Sequence, residues 1–340
     1  MHFTEEGATS IDLCARDFIQ NSNYKDTTTV FCGAEAQYFA GFNCIPYPVG
    51  KRAQLAVQLK KAQPDVIVVH QRVALAAYLA RKLPDTPVIV HRHNFVKPKR
   101  MWLKRFLVGV RYRNLAAVVF VSNACKDHFE KHWPQIKTPR YVVHNGLDFS
   151  QWQAQSQKQK SVLFAGRMSP DKGVLELAQA ASLFLPQHPD WTLRLICACQ
   201  EKDREYRERV FTALEPVKDQ VDYQENLPFE KVKQAYEQAA IALVPSKFEE
   251  PFGRTAIEAF AGGAALITSG TGGLREVCGD NVLYLENLEP ETIARNTLIL
   301  MENDQVRVGL AQAGRNHALK HYPIKSLSEK LDVIIEGCVA

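Results

Sequence analysis

No apolar run in this chain approaches the roughly 18–20 residues that a membrane-spanning helix needs. The opening MHFTEEGATS lacks the basic and apolar regions of a secretory signal. The eight cysteines, at 14, 32, 44, 125, 197, 199, 278 and 338, include no CxxC spacing. That excludes a zinc ribbon or disulfide scaffold as the organising device and points to reduced thiols in a cytoplasmic protein. GxGxxG and GxxxxGKS/T are also missing, which argues against a nicotinamide dehydrogenase or a P-loop ATPase. No Asp-x-Asp follows a strand to hold a metal, so none is expected.

What is present is an ordinary globular composition, 46% hydrophobic and 23% charged over 340 residues, enough for two domains. The net charge of +5 is unevenly placed. Residues 1–150 hold 21 Lys/Arg against 11 Asp/Glu, and residues 151–340 hold 21 against 26. Such asymmetry suggests domains with different partners.

Short Val/Ile runs alternate with helical spacing. PDVIVVH, PVIVHRH and AAVVFVS read as buried strands, with KRAQLAVQLKKAQ and VALAAYLARKL as helices between or beside them. The polar QWQAQSQKQK is aperiodic and reads as a linker, after which the alternation restarts with SVLFAG and runs to helical tail pieces. The expected division is 1–152, a linker at 153–160, 161–322, and a C-terminal helix at 323–340 packing back on the first domain. In such sheets ligands bind beyond the carboxyl ends of strands, so loops that follow strands are where motifs matter.

Three such loops stand out. In LFAGRMSPDKG, Arg167 follows a strand and Lys172 stands at the mouth of a helix, a combination suited to an anion. In EEPFGRTAIEAFAGG, Pro251 suits a helix start, which places Glu250 at its positive end and Glu258 about two turns further on. Two carboxylates on one wall can accept from several hydroxyls. In SGTGGLREV, glycines after a strand let backbone N–H groups approach a phosphate.

Together these stretches, with NGLD at 145–148 and VSNACKDHF at 121–129, strongly resemble glycosyltransferase family 4. The resemblance is dense from 141 to 290. It implies an α/β chain of the GT-B class: two doubly wound Rossmann-like domains facing each other across a cleft, the first binding acceptor and the second the nucleotide-sugar donor. It implies a retaining, metal-independent hexosyl transfer from a UDP- or GDP-linked sugar to a glycan or glycolipid, as in lipopolysaccharide synthesis, with no separate cofactor. Arg167 and Lys172 would hold the diphosphate and Glu250, with the N–H groups of Phe252 and Gly253, the sugar. Glu258 would accept the ribose hydroxyls, and Gly166, Gly272 and Gly273 would lie by the donor. His93 matches the first-domain histidine that faces the sugar, and strand alternation can put His91 on the same face. Acceptor-side positions would fall near Gly7, Ala8 and Thr9. A nucleotide-sugar epimerase, a phosphorylase, or a non-catalytic nucleotide- or membrane-binding relative are the other readings.

One segment falls outside these motifs. VKPKRMWLKRFLVGVRYRN places Lys97, Lys99, Arg100, Lys104 and Arg105 among Trp102 and other bulky residues, and no acid occurs between Asp85 and Asp127. Basic and apolar residues so mixed suit an anionic membrane interface, here the inner face of the cytoplasmic membrane. The other reading is a helix packed on the sheet with a basic outer face. Nucleic acid is not expected, since no recognition motif accompanies the charge.

Overall fold

The computed structural model describes residues 3–4, 8–34, 37–48, 50–98 and 101–339, with residues 102–105 described for their backbone alone. The chain first forms α1 (Ser10–Asn21), β1 (Thr29–Cys32), β2 (Asn43–Pro46), α2 (Arg52–Ala62), β3 (Ile67–His70) and α3 (Val73–Lys82). It continues through β4 (Val88–Arg92), α4 (Trp102–Arg113), β5 (Ala117–Phe120), α5 (Asn123–His132) and β6 (Arg140–Val142). Next come β7 (Gln159–Arg167), α6 (Val174–Phe184), β8 (Thr192–Ala198), α7 (Arg204–Leu214), β9 (Val221–Glu225), α8 (Phe229–Gln238) and β10 (Ala239–Val244). Then follow α9 (Arg254–Gly262), β11 (Ala265–Thr268), α10 (Leu274–Cys278), β12 (Leu283–Tyr284), α11 (Pro290–Glu302), α12 (Asp304–His321) and α13 (Ile324–Val339). Two compact units result: Met1–Gly146 with Ile324–Ala340, and Leu147–Pro323.

In the first unit β3, β4, β5 and β6 form a parallel sheet in sequence order, and β1 pairs separately with β2. Every residue of β4 and β5 is buried, which is why Val88, Ile89 and Val90 of β4 and all of β5 read as unbroken apolar runs rather than alternating ones. Phe18 of α1, Ile89, Val119 and Val143 share a core with Ile324, Leu327 and Leu331 of α13. Each such aliphatic side chain contributes about 1.5–3 kcal/mol on burial. Polar contacts fix the register of α13: Ser22 Oγ donates to Asp332 Oδ1 at 2.7 Å and Ser328 Oγ donates to the Phe18 carbonyl at 3.2 Å.

The second unit is one parallel sheet in the order β12-β11-β10-β7-β8-β9. The chain runs from β7 outward to β8 and β9, then returns to the other side of β7 for β10 and β11. The order therefore reverses between β7 and β10. At such a point the loops leave toward opposite faces and open a crevice at the strands' carboxyl ends.

The polar run read as a linker is tied down. Gln159 and Lys160 already belong to β7, and Trp152 is buried. Lys158 Nζ donates to the carbonyls of Glu237 and Gly262, at the ends of α8 and α9, where helix dipoles favour a cation. Burial pushes its pKa down to about 8.

Candidate active site

The loops after β7, β10 and β11 leave neighbouring strands and lock together. Lys247 N donates to the Asp171 carbonyl at 2.9 Å, and Gly273 N to the Glu250 carbonyl at 2.7 Å. Thr271 Oγ1 donates to the Phe248 carbonyl at 2.8 Å. The glycines make this approach possible. Gly272 has φ +56°, and a Cβ there would lie 2.9 Å from Glu250 N and closer still to its carbonyl oxygen. A Cβ on Gly273 would lie 2.6 Å from the Pro251 carbonyl oxygen. No larger residue fits between these two stretches of backbone.

At the β7–β10 reversal Lys172 Nζ lies 2.6 Å from Glu250 Oε1, which also accepts from Ser246 Oγ at 2.6 Å. The lysine's charge sits 4.6 Å from the centre of the Phe248 ring, so one face of it is aromatic. Arg167 ends β7 with its side chain 59% exposed and bonded through Nη2 to Asp171 Oδ2 at 2.8 Å. Such an exposed pair is worth little and is readily exchanged for a stronger anion. Gly166 precedes it in the strand, beside Cys197 of β8.

The helix geometry differs from the sequence reading. α9 starts at Arg254, with Gly253 as its N-cap at φ +107°. Glu250 therefore precedes the helix and is held by Lys172 and Ser246, not by the helix end. Glu258 lies one turn in, not two turns from a helical Glu250. It accepts from Arg254 Nε at 2.8 Å, and both side chains are only 7% exposed. The carboxylate that interrupts this apolar helix thus has a protein partner. Phe252 is buried, its ring edge-on to Tyr322 at 5.7 Å.

In the first unit β3 and β4 pair with His70 opposite His91. The His91 and His93 rings lie on one side with centroids 4.5 Å apart, and His70 Nδ1 is 3.0 Å from His93 Nε2. His93 N donates to Gln71 Oε1 at 3.0 Å, which fixes the chain just past the strand. Burial lowers the pKa of all three imidazoles, that of His70 to about 4, so they are neutral near pH 7.

The sequence pattern described as Glycosyl transferases group 1 matches residues 148–317, and that described as Glycosyltransferase Family 4 matches residues 25–151. The chain belongs to the group 1 glycosyltransferases. It is 25% identical to spore coat protein SA of Bacillus subtilis, over 83% of this chain and 81% of that one. Lipopolysaccharide 1,2-N-acetylglucosaminetransferase of Salmonella typhimurium is 22% identical over 84% and 77%. Among solved structures, Anabaena HepE in complex with UDP-glucose superposes with a TM-score of 0.80 at 17% identity, covering 98% of both chains. The fold is therefore the GT-B class.

Several residues of this candidate site escaped the sequence reading. Ser246 and Phe248 carried no signal beyond standing before Glu250. Arg254 had one, its spacing of four from Glu258 on a helix. His70 had another, its place at the end of a strand parallel to the one that carries His91. Thr9 caps α1 through a capping box with Asp12, whereas Gly7 lies outside the described residues.

The basic segment is only partly visible. Lys99 and Arg100 lie outside the described residues, as do the side chains of Trp102, Lys104 and Arg105. Lys97 is exposed, as are Met101, Phe106, Leu107 and Val110, while Tyr112 is buried. Packing against α3 and, through Tyr112, against Phe129 of α5 therefore accounts for part of α4 and leaves a mixed apolar and basic face in solvent. Among the described residues no helix is long and apolar enough to cross a membrane.

Proposed function

We propose that this glycosyltransferase moves a sugar, with retention, from a UDP- or GDP-linked donor to a glycan or glycolipid in cell-surface polysaccharide synthesis. The observation that carries the reading is the set of Arg167, Lys172 and Glu250 at the β7–β10 reversal, against a loop that only glycines can line. Breaking the anomeric C–O bond leaves negative charge on the departing diphosphate. Arg167 and Lys172 meet that charge, and preorganised donors of this kind are worth about 3–4 kcal/mol each in the transition state. Two side-chain cations at this position ask for no metal there. Lys172 exchanges part of its pairing with Glu250 for the phosphate, and Glu250 gains capacity to accept from a sugar hydroxyl. The leaving phosphate takes the acceptor's proton as the acceptor attacks from the same face. Glu258 reads the ribose, and its bond to Arg254 orients the carboxylate. His93 contributes to sugar recognition.

The acceptor class rests on two supports: the Salmonella relative acts on lipopolysaccharide by its name, and α4 exposes apolar and basic residues together. The enzyme is then cytoplasmic and works against the anionic inner face of the membrane. Release of nucleoside diphosphate from a panel of UDP- and GDP-sugars tests the reading, with wild type compared with Arg167→Ala and Lys172→Ala. A single active donor and at least a hundredfold loss in each variant are expected. Equal rates in variant and wild type would exclude this assignment of the cations.

A further inference from the structure

The three first-unit histidines form a cluster that the transfer reaction leaves largely unused. His70 and His91 are partners across adjacent parallel strands, and His93 follows two residues later on the same side. One nitrogen from each lies within 4.8 Å of the others. Nitrogen ligands about 2.0–2.1 Å from a tetrahedral zinc ion lie about 3.3 Å apart, with their ring centroids about 5.2 Å apart. Here the closest nitrogens are 3.0 Å apart, and the centroids are separated by 5.3, 5.2 and 4.5 Å. With the three nitrogens within 4.8 Å of one another, rotation of the rings must close the wider pairs toward that spacing for all three to reach one metal.

A second observation is independent of this spacing. His91 is fully buried, and neither of its ring nitrogens has a hydrogen-bond partner among the described residues. Buried polar atoms are ordinarily satisfied. A chain of hydrogen-bonded imidazoles accounts for His70 and His93 but leaves His91 orphaned. A metal bond accounts for one nitrogen of each ring. Asp12 completes the surroundings: its carboxylate is buried, its Oδ1 is unpartnered, and its negative charge acts on His70. A carboxylate beside histidine ligands offsets the charge of a dication. Gln71, at φ +63° directly after His70, receives the His93 N–H and holds the two strand ends together.

We propose that His70, His91 and His93 bind one divalent transition-metal ion of the zinc type. The ion joins the ends of β3 and β4 and occupies the imidazole of His93, so metal and substrate compete for that side chain.

The test uses the full, untagged chain, stripped with chelator and titrated with Zn²⁺ against a chromophoric competitor. One tightly bound equivalent is expected, weakened at least tenfold in both His91→Asn and His70→Gln. It is retained in His128→Asn and His317→Asn, which each remove one ring from the contacting pairs His128–His132 and His317–His321. Folding of each variant is checked by far-UV circular dichroism. X-ray absorption on the zinc-loaded wild type gives a reading that needs no variant, with three imidazole ligands expected. Failure of the folded wild type to hold zinc, unchanged affinity in the two cluster variants, or fewer than two imidazoles at the metal would overturn the proposal.

Discussion

Lys172 and Glu250, 78 residues apart in sequence, meet at 2.6 Å across the point where the second sheet reverses its strand order. Lys172 follows β7 and Glu250 follows β10, and the two strands are hydrogen-bonded neighbours although two others separate them in the chain. The lysine's side chain is 17% exposed and the glutamate's 9%, so neither charge is well solvated without the other.

Removing one partner strands the other. Glu250→Ala is expected to destabilise the fold, toward the low end of the roughly 3–5 kcal/mol seen when one member of a buried pair is deleted. Glu250→Gln, which still accepts from Ser246, is expected to lose less stability while losing transfer activity to a similar extent. Urea unfolding of both variants checks this. Equal stability of Glu250→Ala and wild type would mean that Lys172 finds solvent or another partner without cost.

The glycine loop gives a second prediction. Gly272→Ala forces a left-handed backbone, costing at least about 1–2 kcal/mol, and drives a methyl group into the Glu250 backbone. It should lower the melting temperature and weaken nucleotide binding together. Gly309, exposed within α12 with nothing within 4 Å of where a methyl group would stand, is the control. Gly309→Ala should stabilise by about 0.5–1 kcal/mol through helix propensity. Differential scanning calorimetry separates the two, and a Gly272→Ala protein as stable as wild type would show that the loop yields.

Much of this site was legible locally. Pro251-Phe252-Gly253 and the pair at 272–273 declare a helix entry and a close backbone approach through residue type alone. Strands β5, β10 and β11 show as short apolar runs because every residue in them is buried. The pairing of Lys172 with Glu250, and that of His70 with His93, were not legible, because each depends on which strands lie side by side. The true start of α9 was hidden too: Pro251 suits a helix start, but Gly253 at φ +107° is the cap and the helix begins at Arg254.

Acid should weaken the metal-free fold. In an unfolded chain imidazoles protonate near pH 6.5, whereas in the fold His70 resists until about 4, with His91 and His93 also lowered by burial. Between those values the unfolded state binds more protons, so stability is full above about pH 6.5 and falls as the pH drops toward 4. Urea midpoints of chelator-treated protein at pH 7.5 and 5 check the sign. A slope that persists undiminished in a folded His70→Gln, His91→Asn double variant would assign the loss to other groups.

The exposed face of α4 predicts binding to anionic vesicles. Flotation with phosphatidylglycerol-containing liposomes should recover the protein at low salt, and recovery should fall with added salt as surface charges are screened. Phe106→Ser with Leu107→Ser should reduce recovery at every salt concentration. Absence of the wild type from both anionic and neutral vesicle fractions would exclude the membrane contact.

The most direct measurement is a thermal-shift panel of UDP, GDP and their common sugar conjugates on wild type, Lys172→Ala and Glu258→Ala. A ligand that binds only the folded state raises the melting temperature by mass action. A clear rise with one nucleotide and its sugar conjugate is expected, lost in Lys172→Ala and reduced in Glu258→Ala. No rise with any of them, or the same rise in all three proteins, would contradict the placing of the donor at the β7–β10 reversal.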